Sequence, residues 1–245
     1  MRRYGIIGFP LAHSFSQRYF TEKFSAQQLA GCEYNEFPIE SINELPALIN
    51  QDHSLKGLNV TIPYKKQVLE FLHDRSAIPK GLDACNCIKI IDGKGVGFNT
   101  DIIGFQHSLQ PMLSAHHKKA LVLGSGGAAA AVCFVLKKLQ IDYVLVSRNN
   151  KSNDVISYAD LDSEIMKTHL LIINTTPLGT FPKVDACPDI PYHLLGPDHF
   201  LYDLVYNPER TLFLKKGEEA GASIKNGYEM LVIQAEESWK IWNED

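Results

Sequence analysis

The chain of 245 residues carries no apolar run long enough to cross a membrane and no surplus of basic charge, with 24 Lys and Arg against 28 Asp and Glu. The first absence argues against a helical membrane protein, and the net charge of −4 argues against a general nucleic-acid binder. Five cysteines form no CxxC pair and show no histidine-rich zinc spacing, so they read as reduced thiols and no metal is expected. No signal-peptide pattern follows Met1-Arg2-Arg3, which makes the cytoplasm the expected compartment. Internal repeats and low-complexity tracts are also missing. What remains is an ordinary globular composition, 45% hydrophobic and 21% charged, sufficient for one large or two moderate domains.

The most informative stretch is Ala120-Leu121-Val122-Leu123-Gly124-Ser125-Gly126-Gly127-Ala128-Ala129-Ala130. It reads as a buried strand, a glycine turn and the start of a helix reaching to about Gln140. Gly124 and Gly126 permit a tight turn and close backbone approach, while Ala129 stands where the usual fingerprint has its third glycine. A helix start of this kind aims unpaired N–H groups at a pyrophosphate, although glycines at such turns also serve packing alone. Further apolar strands at Asp142–Arg148 and Leu170–Asn174 complete the βαβαβ order of a Rossmann half. After the second strand comes Ser147-Arg148-Asn149-Asn150-Lys151-Ser152, positive where an NAD-binding chain places an acid. This is either a solvated basic turn or a seat for the 2′-phosphate of NADP, worth about 1.5–3 kcal/mol per charge-assisted contact.

Ahead of this regular half lies a less regular α/β part, with the change near Asp101. Strands are expected at Tyr4–Phe9, Glu33–Ile39 and Gly57–Ile62, and helices at Gln17–Leu29, Ile42–Asn50 and Lys65–His73. A hairpin over Cys85–Phe98 should turn at Asp92-Gly93. Cys85 and Cys87 alternate within that hairpin and should share one face. The sheet of each part should be mainly parallel. A connecting helix runs to about Met112, His116-His117 reads as a surface linker, and Glu229–Asn243 has a helix-compatible apolar pattern.

Several polar clusters fall at predicted strand ends. Ser14 and Ser16 could hold a carboxylate or cap a helix. Lys65 follows a strand ending at Pro63, and Asp101 either caps the next helix or exploits its place at the domain boundary.

Taken together, the ordered blocks resemble the shikimate dehydrogenase family from one end of the chain nearly to the other. They are Ala12-His13-Ser14-x-Ser16, Asn59-Val60-Thr61-x-Pro63-x-Lys65, Ala84-Cys85-Asn86, Asn99-Thr100-Asp101-x-x-Gly104 and Gly124-x-Gly126-Gly127-Ala128. Later blocks are Asn174-Thr175-Thr176-Pro177-x-Gly179, Tyr202-Asp203-Leu204-Val205-Tyr206-Asn207-Pro208 and Asn226-Gly227-x-x-Met230-Leu231-x-x-Gln234-Ala235. The resemblance implies two α/β domains with a cleft between them: residues 1–101 with 228–245 for substrate, and a Rossmann domain over 102–227 for NADP(H). It implies Ser14, Ser16 and Tyr206 at the carboxylate of shikimate, and Thr61, Asn86, Asp101 and Gln234 at its hydroxyls. The cofactor positions would be Gly124, Ser125, Gly126, Gly127, Ala128, Ser147, Arg148, Asn149, Lys151, Ser152, Thr175, Leu204 and Gly227.

Lys65 and Asp101 would then form the catalytic pair for reversible reduction of 3-dehydroshikimate to shikimate, a step toward chorismate and the aromatic amino acids. Charge grows on the C3 carbonyl oxygen as hydride arrives. The Lys65 ammonium stabilises that oxygen and delivers a proton, while Asp101 fixes the lysine. The partners implied are small molecules, with neither nucleic acid nor membrane, for a monomer or homodimer. Departures from the family pattern are Cys87 in place of threonine, Asn149 in place of threonine, Ser152 in place of a basic residue and Glu229 in place of glycine. Two other readings are a quinate/shikimate dehydrogenase with relaxed cofactor use and a non-catalytic regulator that binds shikimate or a nucleotide. A regulator would need no proton donor, so the presence of Lys65 with Asp101 argues against it.

Overall fold

The computed structural model describes residues 1–11, 15–148 and 155–244. The chain divides into two compact units, Met1–Ile103 with Gln234–Asp245, and Gly104–Ile233.

In the first unit the strands are β1 (Arg2–Gly8), β2 (Cys32–Pro38), β3 (Leu55–Val60), β4 (Cys87–Ile91) and β5 (Lys94–Phe98), ordered β2-β1-β3-β4-β5. Helices α1 (Phe15–Ala26) and α2 (Leu45–Gln51) belong to this unit, and α3 (Asp101–Leu109) begins in it. β1 pairs parallel with β2 and β3, whereas β3–β4 and β4–β5 are antiparallel. The sheet is therefore mixed rather than mainly parallel, because the hairpin supplies its last two strands. That hairpin turns at Asp92 (φ 50°) and Gly93 (φ 73°), the paired positive values that a two-residue type I′ turn requires.

Three further expectations need correction. The helix expected over Ile42–Asn50 is split into a 3₁₀ turn (Ile42–Glu44) and α2, because Pro46 lacks the N–H to continue a helix but suits its first turn. The helix expected from Lys65 is a turn followed by a 3₁₀ segment, Gln67–Phe71. It ends there because His73 N–H donates to the Gly95 carbonyl and Gly97 N–H donates to that of Asp74, drawing the chain onto β5. Cys85 lies outside the hairpin strands, and β4 begins at Cys87.

The core of the first unit is aromatic. Tyr4, Phe20, Phe24 and Tyr34 pack with Trp239 and Trp242 from the C-terminal helix, Tyr228–Asn243; the Tyr4 ring lies 5.2 Å from Trp239 and 5.1 Å from Trp242. The Trp242 indole N–H donates to the Ile88 carbonyl at 2.9 Å. Its ring covers Gly57 so closely that any Cβ there would strike it.

The second unit holds β6 (Lys119–Leu123), β7 (Asp142–Val146), β8 (Val155–Ile156), β9 (Leu171–Asn174), β10 (Phe200–Asp203) and β11 (Ser223–Lys225). Helices α4 (Gly127–Lys138), α5 (Ser163–Thr168) and α6 (Leu212–Glu219) lie within it, and the C-terminal helix α7 (Tyr228–Asn243) starts in it. All its pairings are parallel in the order β11-β10-β9-β6-β7-β8. Numbered from β6, this is the 3-2-1-4-5-6 Rossmann order. The strand β8 goes beyond the sequence reading. β6 and β9 are apolar because both their faces are covered: Ala120 to Leu123 and Leu171 to Ile173 are all fully buried. His117 is buried rather than a surface linker, with Nδ1 accepting the Ser114 N–H at 2.9 Å. Among the described residues no helix is long and apolar enough to cross a membrane.

Candidate active site and cofactor cradle

In the first unit, β3 ends at Val60 and the chain turns through Thr61 to Tyr64, whose N–H donates to the Thr61 carbonyl. This turn delivers Lys65 to the first residue of α3. Lys65 Nζ lies 2.6 Å from Asp101 Oδ2, with the two side chains 18% and 8% exposed. The other carboxylate oxygen, Oδ1, accepts from Asn86 Nδ2 at 2.9 Å. Asn86 is itself fixed: its Oδ1 accepts the Thr100 N–H at 2.6 Å and its Nδ2 also donates to Thr100 Oγ1 at 2.9 Å. Gln234, buried on α7, presents Oε1 to Asn86 Nδ2 and to Thr100 Oγ1, both at 3.4 Å.

The sequence motifs around Lys65, Asn86, Asp101 and Gln234, scattered over some 170 residues of chain, thus converge on one hydrogen-bonded cluster. Thr61 sits at the end of β3, with its N–H on the Ile7 carbonyl. Ser16 is buried in the first turn of α1. Ser14 lies outside the described residues, and Tyr206 follows β10 in the second unit. Asp101 opens α3, but the side chain that reaches the N–H of Ile102 is that of Asn99, so the carboxylate of Asp101 is given to Lys65 and Asn86. Thr100 was missed as a site residue by the sequence reading; its place within Asn99-Thr100-Asp101 was the available signal. Burial pushes the neighbouring Cys85 thiol up to about 11 and Cys87 higher still, which disfavours the thiolate form of both.

In the second unit, Gly124 follows β6 at φ +108°, with its N–H on the Val146 carbonyl. A Cβ at this position would lie 2.7 Å from Thr175 Oγ1, which itself donates to the Leu123 carbonyl at 2.7 Å. The turns after β6 and β9 therefore run side by side at the point where strand order reverses, the place where open α/β sheets hold ligands. Gly126 caps α4 without any side-chain bond, and nothing stands within 4 Å of a Cβ built there. The resulting surface suits a pyrophosphate at the helix start, formed by Gly124, Ser125, Gly126, Gly127 and Ala128.

Ser147 and Arg148 follow β7, Arg148 being exposed, whereas Asn149, Lys151 and Ser152 lie outside the described residues. Leu204 and Gly227 abut: a Cβ on Gly227 would collide with the Leu204 carbonyl oxygen. Beneath them the buried Asp203 carboxylate accepts from Thr211 Oγ1 at 2.6 Å, Asn174 Nδ2 at 2.9 Å and the Val205 N–H at 3.0 Å. Burial nonetheless raises its pKa to about 7.

Comparison with known proteins accords with this geometry. Residues 6–88 match the shikimate dehydrogenase substrate binding domain. The chain is 39% identical to the shikimate dehydrogenase (NADP(+)) of Clostridium beijerinckii, over all of this chain and 93% of that protein. It is 34% identical to the corresponding protein of Caldicellulosiruptor saccharolyticus, over 99% of this chain and 92% of that one. Among solved structures, shikimate 5-dehydrogenase from Thermus thermophilus, in complex with NADP(H) and shikimate, superposes with a TM-score of 0.83 at 27% identity, covering 99% of this chain and 94% of that chain.

Proposed function

The chain belongs to the shikimate dehydrogenase family, and from that premise we propose that Lys65 and Asp101 are its catalytic pair. The activity is the reversible NADPH-dependent reduction of 3-dehydroshikimate to shikimate, an oxidoreductase step at a CH–OH group in aromatic amino-acid biosynthesis. The first unit is assigned the substrate, a reading that the family match over residues 6–88 supports, and the second unit the cofactor. When bound, NADP(H) supplies or accepts the hydride. Gly124 to Ala128, Ser147, Arg148, Thr175, Leu204 and Gly227 would hold it, along with Asn149, Lys151 and Ser152 from the segment outside the described residues.

The observation that carries the chemistry is the short Lys65–Asp101 pair, with Asn86 on the second carboxylate oxygen. Held in this way, the ammonium has one hydrogen committed to Asp101 and two left to direct at a substrate oxygen. As negative charge develops on the carbonyl oxygen during reduction, Lys65 stabilises it and transfers a proton. In oxidation the same nitrogen, when neutral, takes the hydroxyl proton. Ser14, Ser16 and Tyr206 are assigned the substrate carboxylate, and Thr61, Asn86, Asp101 and Gln234 its ring hydroxyls.

The test is initial-rate reduction of cofactor with shikimate or quinate crossed against NADP⁺ or NAD⁺, with Lys65→Ala alongside. Strong shikimate/NADP⁺ turnover is expected, with kcat falling about 10²–10⁴-fold in the variant while NADP⁺ affinity holds. Comparable rates with quinate or NAD⁺ would instead identify a relaxed quinate/shikimate enzyme. Near-normal turnover by Lys65→Ala would remove the lysine from its role.

A further inference from the structure

Beneath the catalytic pair, buried polar side chains of the first unit form one continuous series. Asn86, which orients Asp101, shares Thr100 with Ser238: the Thr100 and Ser238 hydroxyl oxygens are 3.2 Å apart. Ser238 Oγ accepts from Asn59 Nδ2 at 3.0 Å, and that amide also donates to the Asn86 carbonyl at 3.4 Å. Asn59 Oδ1 in turn accepts from the Tyr34 hydroxyl at 2.7 Å. At the far end, the buried Ser16 side chain lies beside the same phenol. Ser16, Tyr34, Asn59, Asn86, Thr100, Asp101 and Ser238 are all buried.

The Asn59 amide in this dry setting is held in one orientation, because turning it would set its oxygen against the Asn86 carbonyl and against the Ser238 oxygen, whose hydrogen goes to the Gln234 carbonyl at 2.9 Å. Asn59 is held by Tyr34 on its oxygen and by Ser238 and the Asn86 carbonyl on its nitrogen. We propose that Tyr34 is a positioning residue for the reaction, linking Ser16, at the substrate carboxylate, to Asp101 through Asn59, Ser238, Thr100 and Asn86. This rests on the assignment of Ser16 and the Lys65–Asp101 pair made above. Burial keeps the phenol protonated, so it always brings one hydrogen. With that hydrogen on Asn59, the phenol oxygen is left to accept, and the Ser16 hydroxyl beside it is the donor assigned to it. A carboxylate bound at Ser16 competes for the serine hydrogen, so occupancy there is felt at Tyr34 and passed along the series.

Tyr34→Phe is the decisive variant, because it removes only the hydroxyl and keeps the ring stacked on Phe20, 4.6 Å away. Initial rates are measured with shikimate and with its methyl ester, with a thermal melt to confirm folding. For shikimate, kcat should fall about tenfold, the equivalent of one net hydrogen bond, and KM should rise, while KM for NADP⁺ stays unchanged. The preference for shikimate over the ester should shrink, a change that mere loss of stability would not produce. Ser238→Ala breaks the series nearer Asp101; it should lower kcat with little effect on shikimate KM, and it decides the matter if Tyr34→Phe does not fold. Wild-type turnover with unchanged kcat, KM and ester discrimination in the folded variants overturns the proposal alone. Absence of shikimate turnover in the wild type overturns the functional reading and this proposal with it.

Discussion

Replacing Asp101 with asparagine tests the catalytic pair through a count of oxygens. The carboxylate uses both of them, Oδ2 for the Lys65 ammonium at 2.6 Å and Oδ1 for the Asn86 amide at 2.9 Å. Asparagine has one oxygen and an NH₂ group, so it answers only one of the two donors. If its oxygen stays with Asn86, the ammonium faces an amide nitrogen; if it turns to Lys65, two amide nitrogens abut. The lost contact is charge-assisted and worth about 1.5–3 kcal/mol. Because the Lys65 side chain keeps 18% of its surface in contact with solvent, water recovers part of that, and a cost of about 2 kcal/mol follows. For a chain of this length, that lowers Tm by roughly 4–8 °C and leaves the protein folded at 25 °C. The catalytic loss should be far larger, about 10²–10⁴-fold in kcat, because the ammonium is no longer held where charge develops. Initial rates of NADPH formation from shikimate, read beside thermal melts, separate the two effects. A folded Asp101→Asn enzyme with near-wild-type kcat would refute the reasoning outright.

Other consequences concern the second unit. Arg148→Ala should weaken NADP⁺ binding about ten- to a hundredfold and leave NAD⁺ binding nearly unchanged, measured by titration of each nucleotide. Gly227→Ala drives a Cβ against the Leu204 carbonyl oxygen, which is backbone and cannot rotate away. It should raise KM for NADP⁺ about tenfold and cost about 1–3 kcal/mol in a denaturant melt; an unchanged KM would dissociate this contact from the cofactor. Asp203 has a folded-state pKa raised from 3.8 to about 7, so the folded protein binds the proton more tightly than the unfolded chain does. Its contribution to stability is complete below about pH 4 and lost as the pH rises through 7. The Tm of Asp203→Asn, relative to wild type, should therefore climb across that window, and a constant difference would contradict the assignment.

The parts of the fold that could be read from sequence were those written in local pattern. Ala120–Leu123 and Leu171–Ile173 are apolar without alternation because both faces are covered, and Asp92-Gly93 is a turn on any register. The strand Val155–Ile156 has only two residues after a long polar stretch, too short for periodicity to register. The end of the 3₁₀ segment at Phe71 depends on Gly95 and Gly97, more than twenty residues away, which no local window contains. The site divides similarly. Lys65, Asn86 and Asp101 stand in motifs, but the oxygen that each donor takes is a tertiary fact. Ser238 could have been suspected from its place four residues after Gln234 on one helix face. Tyr34 could not, since an aromatic residue in a strand reads as core, and its hydroxyl matters only because it reaches across β1 to Asn59.

The two tryptophans near the end of α7 have a consequence for how this molecule is made. The aromatic core built on Tyr4, Phe20 and Phe24 is completed by Trp239 and Trp242, which are synthesised only after the whole second unit. About 130 residues of that unit separate the two parts of the first. At usual translation speeds the nascent N-terminal sheet waits roughly 6–26 s with that apolar surface unfilled, while the inserted Rossmann unit emerges whole. The unit that carries Lys65 and Asp101 is thus begun before its neighbour and finished after it, and a chain that ends ahead of Trp239 leaves that first unit without a completed core.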